Sequence, residues 1–245
     1  MNPDAPPGWR LRRYESLEST SDLCATLAAA GEPDRLAVLA ARQTHGRGSR
    51  GRIWQTPPGN LALSVLLRPV GPAAHVGQWA LLSAVVLAEA IEIAAPGTVA
   101  QVKWPNDVEL DEAKVGGILI DAAVGGEGRL AWLVLGFGAN LAAAPDLDRP
   151  VASVPGAPDP DGVAAVLLAR LDHWDRVRLL DGFAPVRHAW LGRGPVPGTH
   201  MRVRWGNKDL GGTFAGLGED GALLLQSGGQ VRALQTGEIL QSLGE

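Results

Sequence analysis

The sequence has a single cysteine, Cys24, among 245 residues. One thiol excludes an intramolecular disulfide, and a reducing compartment is the simplest setting for it. The start, Met1-Asn2-Pro3-Asp4-Ala5-Pro6-Pro7-Gly8, lacks the apolar core of a secretory signal. No uninterrupted apolar run reaches bilayer length; the longest, near 79–95, contains Glu89 and Glu92. An excess of positive charge is missing too: 22 Lys and Arg stand against 26 Asp and Glu, for a net charge of −4. That balance argues against a nucleic-acid binder working through surface charge. A cytoplasmic location is the expectation from these absences. The five histidines, His45, His75, His173, His188 and His200, are scattered and are assigned surface or structural roles. No repeat with a period of 20 to 50 residues is visible.

The hydrophobic content of 46% supplies a real core, and the length allows one large domain or a domain with a small appendage. Residues 1–8 read as a disordered, proline-rich tail. A helix is expected over 20–30, capped by Ser19 or Thr20 and stopped by Gly31. Buried strands are expected at 35–42 and 61–68, then a helix at 79–95 ended by Pro96-Gly97. Further strands are expected at 99–104, 116–124 and 129–136, the last two joined by a glycine-rich hairpin. Residues 144–162, rich in proline, form a surface loop, ordered or mobile. Helices follow at 163–180 and 186–191, with Asp159 or Asp161 as cap candidates. From about 198 the texture changes to short strands at 201–205, 212–217, 222–226 and 230–234, separated by glycine turns. This is the signature of a small β-barrel, too small to bury much alone and expected to dock on the main domain.

Two stretches carry chemistry. Gly46-Arg47-Gly48-Ser49-Arg50-Gly51-Arg52 interleaves three glycines with three arginines. Glycine lets backbone approach a ligand closely, and arginine offers a planar, permanently charged fork that matches carboxylate and phosphate oxygens. Taken alone, the loop is equally a solvated basic loop. It lacks the Gly-Lys-Ser/Thr of a Walker phosphate loop. Its glycines fit a GxGxxG spacing, but the Pro57-Pro58 that follows cannot open a long helix. The second stretch, Lys103-Trp104-Pro105-Asn106-Asp107, is followed by Lys114 and Gly116-Gly117. Proline holds the preceding tryptophan extended and presents Asn106 and Asp107 at a strand end. By itself this segment reads as a turn. Glycines at 116, 117, 136 and 138 suggest close backbone approach to a ligand or another strand.

In order, these elements resemble the catalytic domain of biotin protein ligases over roughly residues 10–195. The family's Ser-Thr ahead of the first helix is Ser19-Thr20, and its glutamine before the Gly/Arg loop is Gln43. The tryptophan after the loop is Trp54, and Gly-Asn-Leu is Gly59-Asn60-Leu61. Lys-Trp-Pro-Asn-Asp is intact, Lys-x-x-Gly-Ile-Leu begins at Lys114, and Gly-x-Gly-x-Asn runs from Gly136 to Asn140. One departure stands out: the loop's fourth position, usually arginine in the family, is Ser49.

The resemblance implies an α+β fold: a mixed-sheet catalytic domain at 9–195 flanked by helices, and a C-terminal SH3-like β-barrel at 196–245. It implies a ligase that activates biotin with ATP as biotinyl-5′-AMP and transfers it to a lysine of a biotin carboxyl carrier domain. Arg47, Lys114 and Asp107 would be catalytic, the two cations around the carboxylate and α-phosphate, and Asp107 orienting or deprotonating the incoming lysine. Biotin would be bound by Ser19, Thr20, Gln43, Gly46, Arg47, Lys114, Gly116, Gly117, Gly136 and Gly138. The nucleotide would meet Arg50, Arg52, Trp54, Asn60, Asn106 and Asn140. Mg²⁺ is expected to arrive with ATP, without a protein ligand named for it. DNA is not an expected partner, because about ten residues precede the pattern, too few for the winged-helix domain some members carry; a membrane is not expected either, because no uninterrupted apolar run reaches bilayer length. A homodimer is left open. The alternatives are a lipoate or octanoate ligase and a non-enzymatic biotin-sensing regulator.

Overall fold

The computed structural model describes residues 5–243, so part of the expected tail lies outside the described residues. The rest of that tail is folded: Trp9 N donates to Pro6 O, and Ala5 packs against the core.

A seven-stranded mixed sheet forms the main body. Its strands are β1 (Arg10–Tyr14), β2 (Leu36–Ala40), β3 (Leu61–Leu67), β4 (Gln101–Lys103), β5 (Asp107–Leu110), β6 (Ala113–Val124) and β7 (Leu130–Ala139). Their spatial order is β1-β2-β3-β7-β6-β5-β4, with β1 parallel to β2 and the remaining pairs antiparallel. The helices are α1 (Thr20–Ala29), α2 (Val76–Ala94), α3 (Pro160–Asp181) and α4 (Ala184–Leu191). A second, antiparallel sheet holds β8 (His200–Trp205), β9 (Lys208–Leu217), β10 (Leu223–Ser227), β11 (Gln230–Leu234) and β12 (Glu238–Leu243), in the order β11-β10-β9-β8-β12. The expected α+β architecture, with a small C-terminal β module, is the one found.

Side chains alternate across a strand, so the central strands each feed two faces. On one face Leu61, Leu63, Val65, Leu133, Leu135, Phe137 and Ile118 pack with the apolar side of α2 in the large core. On the other, Leu36, Val38, Leu66 and Val134 meet Cys24 and Ala28 of α1 in a smaller one. Burial pushes the Cys24 thiol up to about 12, so it stays protonated and unreactive.

By length and composition the helical stretch Ala73–Ala94, interrupted by Glu89 and Glu92 as expected, could cross a membrane. Here it is the core helix. Glu89 accepts from Arg170 and Trp174, and Glu92 from Arg193 and the Ala100 amide, so both acids that interrupt the run are paired.

The β module does dock. Met201, Val203, Phe214, Leu217, Leu223 and Ile239 belong to the same core as α2. Trp104 Nε1 donates to Gly221 O, and Gln78 Nε2 to Glu219 O.

Three strands escape the sequence reading. β1 is an arginine-rich edge strand whose Arg10 and Arg12 pair with Glu32 and whose Arg13 pairs with Asp161. β5 begins at Asp107, where a turn end was expected. β12 lies beyond the last expected strand and pairs with β8.

Candidate active site

The α1-facing side of the sheet is made by shrinking side chains. Near the N-terminus of α1, the positions that would continue the small core are Ala62, Ser64, Gly136, Gly138 and Gly117. The register places Ser64 opposite Gly136 and Gly136 opposite Leu119, and Ala62 opposite Gly138 and Gly138 opposite Gly117. The result is a shallow floor of backbone in an otherwise close-packed sheet. A pocket opens there, lined by Thr20, Ser21, Gln43, Arg47, Trp54, Ser64, Asn106, Asp107, Lys114, Gly117, Gly136 and Gly138, among others.

One end of the pocket is a polar chain. Gln43 Oε1 accepts from the Thr20 amide at 2.8 Å and from Thr20 Oγ1 at 3.1 Å, while its Nε2 donates to Thr56 Oγ1. The Thr20 hydroxyl lies 2.8 Å from that of Ser64, and the Ser21 hydroxyl 3.1 Å from it. Ser64 has no exposure and interrupts an apolar strand, so its hydroxyl needs these partners.

The other end is charged. Lys114, 9% exposed, hydrogen-bonds Asp107 Oδ1. Burial lowers the pKa of Lys114, and the Asp107 carboxylate works against that by favouring the charged form. The Trp54 ring lies 5.6 Å from the ammonium. Trp54 rests on Gly138: a Cβ there would come within 2.4 Å of the ring. The Gly/Arg loop is ordered as a tight hairpin. Trp54 N donates to Gly46 O and Gly48 N to Arg52 O, with Arg50 at the tip in the left-handed region at φ 59°.

Several expected residues lie elsewhere. Ser19 caps α1, its hydroxyl accepting from Asp22 N. Gly46 lies beneath the Trp54 carbonyl, 2.2 Å from where a Cβ would be. Gly116 faces α2, because it is one residue out of phase with Gly117; a Cβ there would meet Leu87 at 2.9 Å. Asn60 is committed to the backbone of Ala142 and Ala143. Arg50 and Arg52 both turn to Glu238 of β12. Asn106 lines the pocket but donates to Ile118 O at 2.5 Å. Asn140 Nδ2 donates to Ala152 O, whereas its buried Oδ1 and Trp54 Nε1 have no hydrogen-bond partner among the described residues.

A second cleft of about 560 Å³ adjoins the pocket. It shares Asn106, Asp107, Lys114 and Ser49 with it, and is walled by Arg50, Arg52, Arg149, Arg193 and the β-module residues Glu238, Ile239 and Leu240. The proline-rich segment borders this cleft and is tied down. Lys114 N donates to Pro150 O, Ala152 N to Lys114 O, and Val154 N to Asn140 O.

Sequence reasoning missed Ser21, Ser64, Thr56, Asp22, Asp121 and Glu238. A lone serine inside the apolar strand 61–67 was the available signal for Ser64. The acids carry none, since their partners are distant in sequence.

Residues 14–140 match the model of the biotin/lipoate A/B protein ligase family. A biotin–[acetyl-CoA-carboxylase] ligase of Paracoccus denitrificans is 38% identical over 200 residues, covering 77% of this chain and 83% of the relative. A bifunctional ligase/repressor BirA of Bacillus subtilis is 30% identical over 242 residues, covering 95% of this chain and 74% of the relative. Among solved structures, a biotin protein ligase from Aquifex aeolicus in complex with biotin and ATP superposes with a TM-score of 0.78 at 24% identity, covering 94% of this chain and 97% of that one.

Proposed function

This chain belongs to the biotin/lipoate A/B protein ligase family, and from that premise we propose how its pocket carries out ATP-dependent biotinylation. It is a ligase that joins biotin to a carrier lysine through biotinyl-5′-AMP; biotin and ATP are its substrates. The observation that carries the choice of biotin is the Thr20–Gln43–Ser64 hydrogen-bond chain at the pocket's inner end. A ureido ring has both donors and acceptors to satisfy there. A lipoyl or octanoyl chain offers that polar end neither donor nor acceptor, so the pocket's inner end suits a ureido ring better.

In the first step a carboxylate oxygen attacks the α-phosphorus of ATP and pyrophosphate leaves. Two anions must approach, and Lys114 and Arg47 are the cations suited to neutralise them. Asp107 favours the charged form of Lys114 against the burial that lowers its pKa. Gly117, Gly136 and Gly138 let the ligand lie on backbone. The nucleotide is assigned to the side bounded by Trp54, which lines the pocket, with Asn140 beside it as the family resemblance implies. In the second step the ε-amine of the carrier lysine attacks the acyl carbon and AMP leaves. Asp107, lining both pocket and cleft, is placed to orient that amine or take its proton. Among the described residues no group of three His, Cys, Asp or Glu side chains comes together around a metal. Mg²⁺ would arrive with ATP, bound by its phosphates.

The partner under this reading is a biotin carboxyl carrier domain, and the location is cytoplasmic, where ATP is available. The net charge of −4 gives no support to a DNA-binding role. The test is pyrophosphate release from ATP with biotin, lipoate or octanoate, followed by transfer to a carrier domain, with a DNA-shift control. Biotin-dependent release and labelling of one carrier lysine are expected. Release with lipoate or octanoate but not biotin would refute the reading.

A further inference from the structure

Arg47 is the loop cation expected to meet the substrate's carboxylate, and in this structure it is already engaged. Its Nη1 donates to Asp22 Oδ1 and, at 3.1 Å, to Asp121 Oδ2, while its Nη2 donates to Asp121 Oδ1 at 3.2 Å. Asp121 thus grips the guanidinium with both oxygens, the geometry in which arginine binds any free carboxylate. Three elements meet at this point: the Gly/Arg loop, the first turn of α1, and β6. Asp121 reaches the pocket side because it follows Gly117 and Leu119 at two-residue steps along β6.

The formal charges of one arginine and two aspartates sum to −1. A carboxylate arriving at Arg47 therefore meets no free positive charge. It binds by taking the guanidinium from a resident carboxylate of the same chemistry. The exchange is cheapest at Asp22, because Arg47 and Asp22 keep 42% and 54% of their side-chain surface exposed and exposed ion pairs are weak; Asp121, at 25%, holds the guanidinium more firmly. Lys114 and Asp107, at 11% and 23%, are more buried and exchange less readily.

We propose that Asp22 and Asp121 are an internal competitor for the substrate's carboxylate. They are positioning residues that hold Arg47 at rest and set how tightly the pocket binds an acid relative to its uncharged derivatives. The proposal rests on the assignment of this pocket to biotin.

The test compares dissociation constants for biotin and biotin methyl ester in the natural protein, in Asp121→Asn, and in the double variant Asp22→Asn/Asp121→Asn. Biotin should bind about threefold tighter in the single variant and up to about tenfold tighter in the double. The ester, which has no charge to compete, should bind equally in all three. An acid-to-ester ratio that stays level or falls would overturn the proposal and leave the two aspartates as braces of the loop. Limited trypsin digestion gives a readout independent of any ligand. Cleavage after Arg47, Arg50 or Arg52 should quicken in the double variant, and equal rates would show that the aspartates do not restrain the loop. If the natural protein binds neither biotin nor its ester, the biotin assignment fails and takes the proposal with it. A level ratio with biotin still bound sinks the proposal alone.

Discussion

The two faces of the seven-stranded sheet use the same strands for opposite purposes. Toward α2, Ile118 and Ile120 of β6 and Leu133, Leu135 and Phe137 of β7 fill space, and Leu87 closes over Gly116. Toward α1, their neighbours 117, 136 and 138 leave space, and Trp54 lies over it. Gly116 and Gly117 are adjacent in sequence, yet one is required by helix packing and the other by the pocket. Along a strand, one residue of phase separates stability from ligand binding. The charged groups follow the same division. Glu89 and Glu92 behind the sheet are fixed by arginines in structural pairs. Lys114 and Arg47, on the pocket side, sit on carboxylates that a substrate can rearrange.

The largest effect is expected on the pocket side. Lys114→Ala should slow adenylate formation by about 10²- to 10³-fold, the usual result of losing one preorganised charge stabiliser, with little change in thermal midpoint. Near-normal pyrophosphate release would remove Lys114 from the chemistry.

The glycines give the paired test. In Gly138→Ala the new Cβ collides with Trp54 and should displace it. We expect kcat/KM to fall on the order of tenfold to a hundredfold, as for other misplaced site groups, with the fold retained. In Gly116→Ala the Cβ meets Leu87 and the Gly138 carbonyl instead. That variant should lose about 1–3 kcal/mol of stability by overpacking while keeping its kcat/KM where it is folded. Denaturation curves and steady-state kinetics on both proteins decide this, and the same dominant defect in both would erase the distinction between the faces.

Ser49 offers a smaller effect. The resemblance implies an arginine here that meets the adenylate phosphate. The nearest substitutes, Arg50 and Arg52, are drawn to Glu238, and Arg52 also donates to Ser49 Oγ at 3.0 Å. Ser49→Arg should therefore slow adenylate release by about tenfold, the worth of one hydrogen bond to a charged group. Unchanged or faster release would mean that Arg50 or Arg52 already fills the role.

The smallest effect is a displaced pH limb. Burial holds Lys114 below the ordinary lysine pKa, so activity that needs its charge is lost as pH rises through that lowered value. Asp107→Asn removes the carboxylate that supports the charge, so the alkaline limb of adenylation should move to lower pH. The sign for stability is opposite. Folding holds Lys114 below its unfolded pKa, so the fold carries a penalty at lower pH that is relieved as pH climbs between the two values. A limb that stays in place in Asp107→Asn would separate it from Lys114.

The pocket-side motifs could be read from the sequence because glycine and arginine are conspicuous where strands should be apolar. The Gly/Arg loop and the glycines of β7 declare themselves this way, whereas the roles of Trp54 and Lys114 come from the family resemblance. The phase of each glycine was not readable, so Gly116 was grouped with Gly117. Asp107 looked like a turn residue because it follows Pro105-Asn106. In the structure it pairs with Lys103 on one side and Gly117 on the other as the first residue of β5. Edge strand β1, with three arginines in five residues, gives no apolar pattern at all. Long-range ion pairs such as Arg52 with Glu238 leave no local trace.

Hydrogen–deuterium exchange with and without biotin and ATP tests most directly whether the α1-facing side of the sheet is the working surface. Slowed exchange is predicted over 43–54, 114–119 and 136–140, with the amides of α2 unchanged. Protection confined to 198–243, or absent from the Gly/Arg loop and from 114–119, would contradict the account.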